Sequence, residues 1–497
     1  MVKGSKIDEP GRFRQLVVAL IGEYRRIDRS EVITCSFLAN ISSLSLGTMI
    51  GWQSPTIPQL QSENPPVGNE PMTDEAASWL TGITCITAAL TSLIVGTIAN
   101  RFGRKMTGYL MAFALCSNWL FTIIATQQTY LFIARFFAGI SGGMALFLVP
   151  LYVSEIASDG IRGMLGSLLV FLLNGGILLG YILGAVLSYR LFSIIMLALP
   201  LLYIVLFPFV PESPVYLLRR NRINEAARSL TWLRGGHKPT MEREMLRLQE
   251  EAKELDVPGR STNKLSEMFR DQATIKGLFI TLGLFGGQQL AGIFVMVRKH
   301  SHDCIRRSAI IVGVIQVFGS YLSTTLVERV GRRPLLLTSC LGMGTCHFVL
   351  GVFCYLQTLG YDVSQFSWIS IVALSVYMIT YGLGMGPGPY VVSSEILSRD
   401  VASSIVTLGM FTTWGMAFVV VKLFPSVLAL LGMHGCFFLF GIFCATTFAF
   451  IFILIPETKG QPRQVILDRL NGIFYNIVNN AFHHSSVGRD IRFCQST

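Results

Sequence analysis

Twelve apolar stretches, near 32–53, 77–99, 106–125, 129–152, 164–188, 191–209, 275–297, 308–327, 334–356, 367–394, 402–424 and 431–455, make up most of this chain. Each is close to the roughly 20 residues that an α-helix needs to cross the hydrocarbon core of a bilayer. In lipid a helix satisfies its own backbone polar groups, so stretches of this kind fold as helices. The expected fold class is an all-α polytopic membrane protein with twelve transmembrane helices. Composition agrees: only 14% of the 497 residues are charged, against roughly 25% in soluble domains.

The one long hydrophilic run, Pro211–Lys276, falls in the middle. It carries thirteen Lys/Arg and two helix-patterned pieces, Ile223–Leu233 and Met241–Leu255. Six apolar stretches precede it and six follow, and each set closes on a similar motif, PESP from Pro211 and PETKG from Pro456. A long-period echo of this kind marks an internal repeat. The expected organisation is a tail over 1–31, a six-helix half over 32–210, a linker with short helices over 211–275, a second half over 276–455 and a tail over 456–497.

A net charge of +11 fits a nucleic-acid binder until its distribution is read. Lys and Arg number seven before Ser30, three in Arg101–Lys105, three in Arg329–Arg333 and five after Pro456, with Arg162, Arg399 and the central run besides. With twelve spans these connections all share one face. The other face carries Arg190 and then nothing before Arg298. The positive-inside rule makes the basic face and both termini cytoplasmic. The basic excess is therefore topology and contact with anionic lipid, and no nucleic-acid partner is expected. No cleavable signal peptide is expected, because the first thirty residues are polar and basic. The ten cysteines contain no CxxC and are expected to pack as small apolar residues.

Two turns repeat between the halves: NRFGRK from Asn100 and ERVGRR from Glu328. Glycine permits the bend. Arg101, Arg104, Arg329, Arg332 and Arg333 supply guanidinium forks that pair with carboxylates. Candidate partners lie on the same face: Glu155, with Arg162 close behind it, then Glu212, Glu395 and Glu457. These ten residues are read as an intracellular lock that ties the halves together when a central cavity faces outward. Such a lock suits the rocking of two repeats about a midplane site. No carboxylate lies between Val32 and Pro55. An intramembrane acid is the usual proton-coupling group, so its absence favours facilitated movement.

Gln288 and Gln289 interrupt the seventh span and Gln316 the eighth. Amides combine donor and acceptor, and polar pairs inside a span line cavities. The run GMGPGP, from Gly384, permits a bend in the tenth span. Tyr390 and Trp414 offer aromatic faces. RFGRK, RVGRR, PLYVSEIASDGIRG, PESP, GGQQLAG (Gly286–Gly292), GMGPGPY and PETKG occur in order over nearly the whole chain. Together they resemble the sugar porters of the major facilitator superfamily, the group of facilitative glucose transporters and insect trehalose transporters. GWQSP, from Gly51, resembles the trehalose branch. The resemblance implies alternating-access transport of a hexose or a disaccharide such as trehalose by a monomer in the plasma membrane. It implies sugar contacts at Gln288, Gln289, Gln316, Tyr390, Thr413 and Trp414. No cofactor is expected. Neither is an enzyme, because no ordered Ser/His/Asp set or nucleotide loop is present.

The chain departs from the family pattern at Val170, Phe294 and Thr413, where sugar-binding amides are usual, and at Asn100 and Ala402 in the charged motifs. Arg298–Arg307, RKHSHDCIRR, stands where the outer half of the seventh helix belongs. That helix is expected to be shortened or defective, since a central charge costs about 2.5–3.5 kcal/mol in a span. His300, His302, Asp303 and Cys304 are metal-ligand types, but all are local and lack a second cluster, so no metal is expected. The alternative reading is a transporter-fold sensor or a non-transporting paralogue with a degraded sugar site. Arg463–Phe482 has the spacing of an amphipathic tail helix.

Overall fold

The structure, a computed structural model, describes residues 31–157, 161–236, 238–255, 272–293, 304–361, 364–366, 368–396, 399–459, 461, 465–466 and 469. Among the described residues there is no strand. The first six spans are α1 (Glu31–Leu60), α2 (Asp74–Phe102), α3 (Arg104–Ile123), α4 (Gln128–Ile156), α5 (Arg162–Val186) and α6 (Tyr189–Leu206). Three short helices follow in the linker: α7 (Pro214–Arg219), α8 (Ile223–Leu233) and α9 (Lys238–Leu255). The second set is α10 (Gln272–Leu290), α11 (Cys304–Val330), α12 (Arg332–Thr358), α13 (Trp368–Thr380), α14 (Gly388–Ile396) and α15 (Arg399–Leu454).

Nine helices among the described residues are long and apolar enough to cross a membrane. One of the nine, Ile405–Leu454, has 50 residues. At 1.5 Å per residue its residues would span about 75 Å, enough for two crossings. It turns at Gly432, whose φ of 67° and ψ of 178° no helix adopts. α10 and α11 fall short of that measure, α11 containing the shorter apolar helix Ile310–Ser323, and they occupy the two remaining places in the order. The result is a multi-pass membrane protein with the twelve-helix plan.

Two large apolar cores hold most of the buried side chains of the spans. One gathers buried residues from Val32 to Leu233 and the other from Ile280 to Ile466. The spans of the first core approach closely through glycine. A Cβ on Gly176 of α5 would overlap the Leu44 carbonyl oxygen of α1, and one on Gly47 of α1 would overlap that of Leu173. Small residues let backbones meet where lipid gives no hydrophobic drive. Gly176→Leu is therefore expected to lose at least about 1–3 kcal/mol to overpacking. The check is the melting temperature of the detergent-purified protein, and an unchanged value would refute this account of the contact.

Three expectations shift. The first helix was expected to end near residue 53, but it continues to Leu60. A turn at Trp52 restarts it, so Pro55 falls in a first turn that needs no backbone donor. The bend expected at GMGPGP begins earlier, as one wide turn over Tyr381–Met385. The eleventh and twelfth stretches part at Gly432, a few residues beyond the expected 425–430. α10 stops at Leu290, with Gly292 left-handed at φ 82°. Phe294, the run from Arg298 to Asp303, and most of the expected tail helix lie outside the described residues.

Candidate functional site

The repeated turns build the same structure twice. Gly103 and Gly331 adopt φ 93° and 106°, values open to glycine, and each starts a helix. Neither residue has a side chain to cap that start. The cap arrives from more than a hundred positions along the chain. Glu212 accepts from the Arg104 and Lys105 amides, both at 3.1 Å, and Glu457 from those of Arg332 and Arg333 at 3.0 and 3.1 Å. A carboxylate there also meets the positive end of the helix dipole. Lys105 Nζ then donates to the Pro208 carbonyl at 2.8 Å, and Arg333 Nη2 to that of Phe452 at 2.7 Å.

The arginines pair next to these caps. Arg104 forks onto Glu155 with contacts of 2.6 and 2.8 Å and donates to the Ala99 carbonyl at 3.0 Å, while stacking on Tyr216. Arg332 reaches Glu395 at 3.0 Å. Both ion pairs lie within one half. Arg101 is exposed beside Phe102. The side chains of Arg162 and Arg329 lie outside what the structure describes. The linker joins the same face. Arg234 forks onto Glu244 at 2.7 Å and donates to the Ile156 carbonyl at the end of α4.

Gln288 and Gln289 are buried side by side near the end of α10. Pro387 and Pro389 lack the N–H groups that would serve the carbonyls of Leu383 and Met385 four residues back. Polar side chains from other helices serve them instead. Gln288 Nε2 donates to Met385 O at 2.7 Å and Gly386 O at 3.0 Å, and Ser323 reaches Leu383 O at 3.4 Å. One amide of the pair thus holds the broken tenth span together. Gln289 differs: its Nε2 lies 3.5 Å from Gln288 Oε1, and its own buried Oε1 has no partner. Tyr390 packs edge-on to Phe285, one turn before Gln288, at 4.9 Å.

The other expected contacts lie elsewhere. Thr413 turns its hydroxyl onto the Gly409 carbonyl of its own helix at 3.0 Å. Trp414 crosses to the other half and packs on Cys85, Ala88 and Ala89 of α2. Gln316 donates at 2.9 Å to Asn174, a residue of α5 whose amide in turn donates to Ser320. Asn174 was missed from sequence, although it lies one helical turn beyond Val170, where the usual amide is absent. Arg135 of α4 was missed as well. It is fully buried, its guanidinium lies 4.2 Å over the Trp52 ring, and its side-chain nitrogens have no hydrogen-bond acceptor. A desolvated tryptophan face is worth about 2 kcal/mol or more to such a cation.

Twelve spans in two sets, with capped turns repeated on one face, define a transporter fold of the major facilitator type. The inward-open xylose transporter XylE from E. coli superposes with a TM-score of 0.71 at 21% identity, covering 89% of this chain and 99% of that one. A sequence profile of the family described as sugar (and other) transporter matches residues 35–466, and the chain belongs to that family. It is 30% identical over 464 residues to the facilitated trehalose transporter Tret1 of Apis mellifera ligustica, covering 90% of this chain and 91% of the relative. Tret1 of Anopheles gambiae is 30% identical over 443 residues, covering 86% of this chain and 55% of the relative. The chain therefore spans about half the length of the mosquito relatives from Anopheles and Aedes aegypti.

Proposed function

We propose that this protein moves a sugar, a hexose or a disaccharide such as trehalose, down its gradient by alternating access. The observation that carries the reading is the α10 amide pair against the broken tenth span. It leaves a buried acceptor without a partner, Gln289 Oε1, next to the Gln288 amide that bonds the end of the wide turn over Tyr381–Met385. The similarity to facilitated trehalose transporters supports the substrate class. Gln316 and Trp414, also of the second set of helices, are proposed to meet the sugar in another state of the cycle. The ten charged motif residues are proposed as the cytoplasmic lock. The two described ion pairs, Arg104–Glu155 and Arg332–Glu395, each within its own half, then correspond to an open lock. Both termini are proposed to be cytoplasmic, and the working unit a monomer of two six-helix halves in the plasma membrane, acting as a carrier and not as an enzyme.

Uptake of radiolabelled trehalose and glucose by transport-deficient cells tests this. Saturable uptake that a proton uncoupler leaves unchanged is expected. Surface expression with no uptake of either sugar would instead favour the non-transporting paralogue.

A further inference from the structure

α2 and the first part of α15 come from different halves, and they meet along one stripe. Trp414 and Ala417 pack on Cys85, Ala88 and Ala89. One turn further on, Phe418 lies 6.2 Å from the Trp79 ring and reaches within about a van der Waals contact of the Cβ direction of Gly82. Near the end remote from the capped turns, the Lys422 ammonium sits 4.1 Å over the Trp79 ring and 3.7 Å from Glu75. The spacing makes this a pair of matched faces. Glu75, Trp79 and Gly82 recur at helical intervals on α2, and Trp414, Phe418 and Lys422 recur four apart on α15.

Lys422 is the only Lys or Arg between Arg399 and the end of α15. An ammonium inside so apolar a helix is unfavourable without a partner. Tryptophan is the best aromatic partner for a cation. Glu75 contributes less, because its side chain is 80% exposed.

We propose that Lys422 and Trp79 form a clasp that holds the two halves together at the face opposite the charged turns. Each opening toward that face must break it, so its strength sets the resting share of the two states. The proposal rests on the alternating-access reading, in which each face opens in turn.

Cys85 is a native reporter. It is 1% exposed in the same stripe, below the clasp. The test measures its modification rate by a maleimide, resolved by mass spectrometry, on the full-length purified protein. Lys422→Gln and Trp79→Leu are each expected to raise that rate roughly five- to tenfold, a cation–π contact at a partly desolvated site. The double variant is expected to add little to either single one, because both remove one contact. Lys422→Arg keeps the cation and should label near the wild-type rate. Glu75→Gln should change it less than about twofold.

Wild-type labelling rates in Lys422→Gln and Trp79→Leu would overturn the clasp, as would fully multiplicative effects in the double variant. A Lys422→Gln protein that fails to fold leaves the decision to Trp79→Leu and Lys422→Arg. The labelling does not depend on uptake, so a clasp that behaves as expected in a protein that moves no sugar would overturn the transport reading alone.

Discussion

Arg104→Ala is expected to destabilise the folded protein by about 3–5 kcal/mol, the usual consequence of stranding one member of a buried ion pair. Arg104 and Glu155 are 2% and 9% exposed, so neither charge has water to fall back on. The same guanidinium also satisfies the Ala99 carbonyl near the end of α2, and alanine leaves that acceptor unserved. The corresponding change in the second half, Arg332→Ala, should cost less, since Arg332 and Glu395 are 12% and 26% exposed. Thermal unfolding of the purified variants decides the order. Glu155→Ala added to Arg104→Ala should restore part of the loss, because it removes the stranded carboxylate. Equal losses in the two halves, or no recovery in the double variant, would mean that the turns are held by the glutamate caps alone.

That uncertainty of partner shows what the sequence could and could not convey. The spans and the repeat were legible because a bilayer leaves the backbone one economical solution, and each half repeats its punctuation. The charged turns were legible as a set on one face. Their pairing was not. Glu212 and Glu457 look like members of an interhalf lock, yet each caps the helix that follows its own half's glycine turn. Nothing local announces a cap whose two parts are 108 or 125 residues apart. Gln288 poses the same problem: an amide inside a span can line a cavity or repair a proline break. The two uses differ only in which helix stands opposite. Lys422 escaped notice for a different reason. Counting charge by loop assigns faces, and this lysine lies within a helix. Asn174 sits one turn from the position where the family pattern places an amide, so matching residue by residue passes over it.

The distinction between the two glutamines leads to the other large expected effect. Gln288→Ala should act first on structure. It removes the donor from Met385 O and Gly386 O, and each buried carbonyl left without a partner costs about 1–3 kcal/mol. The wide turn at Tyr381–Met385 then loses its anchor to α10. The expected result is a lower melting temperature and a reduced maximal uptake rate. Gln289→Ala should act on sugar. Its Oε1 has nothing to lose in the resting structure and its Nε2 only a 3.5 Å contact with Gln288, so the melting temperature should fall less than in Gln288→Ala. A hydroxyl contact worth about 0.5–1.5 kcal/mol would vanish with it, raising KM by up to roughly tenfold at an unchanged maximal rate. Kinetics and melting curves on both variants separate the roles. If Gln288→Ala melts like the wild type and only KM rises, its bonds to the tenth span are incidental and it is a sugar ligand like its neighbour. If Gln289→Ala changes neither KM nor selectivity between trehalose and glucose, its buried acceptor faces water in the cycle, and the sugar must be held by Gln316, Asn174 and the aromatic residues.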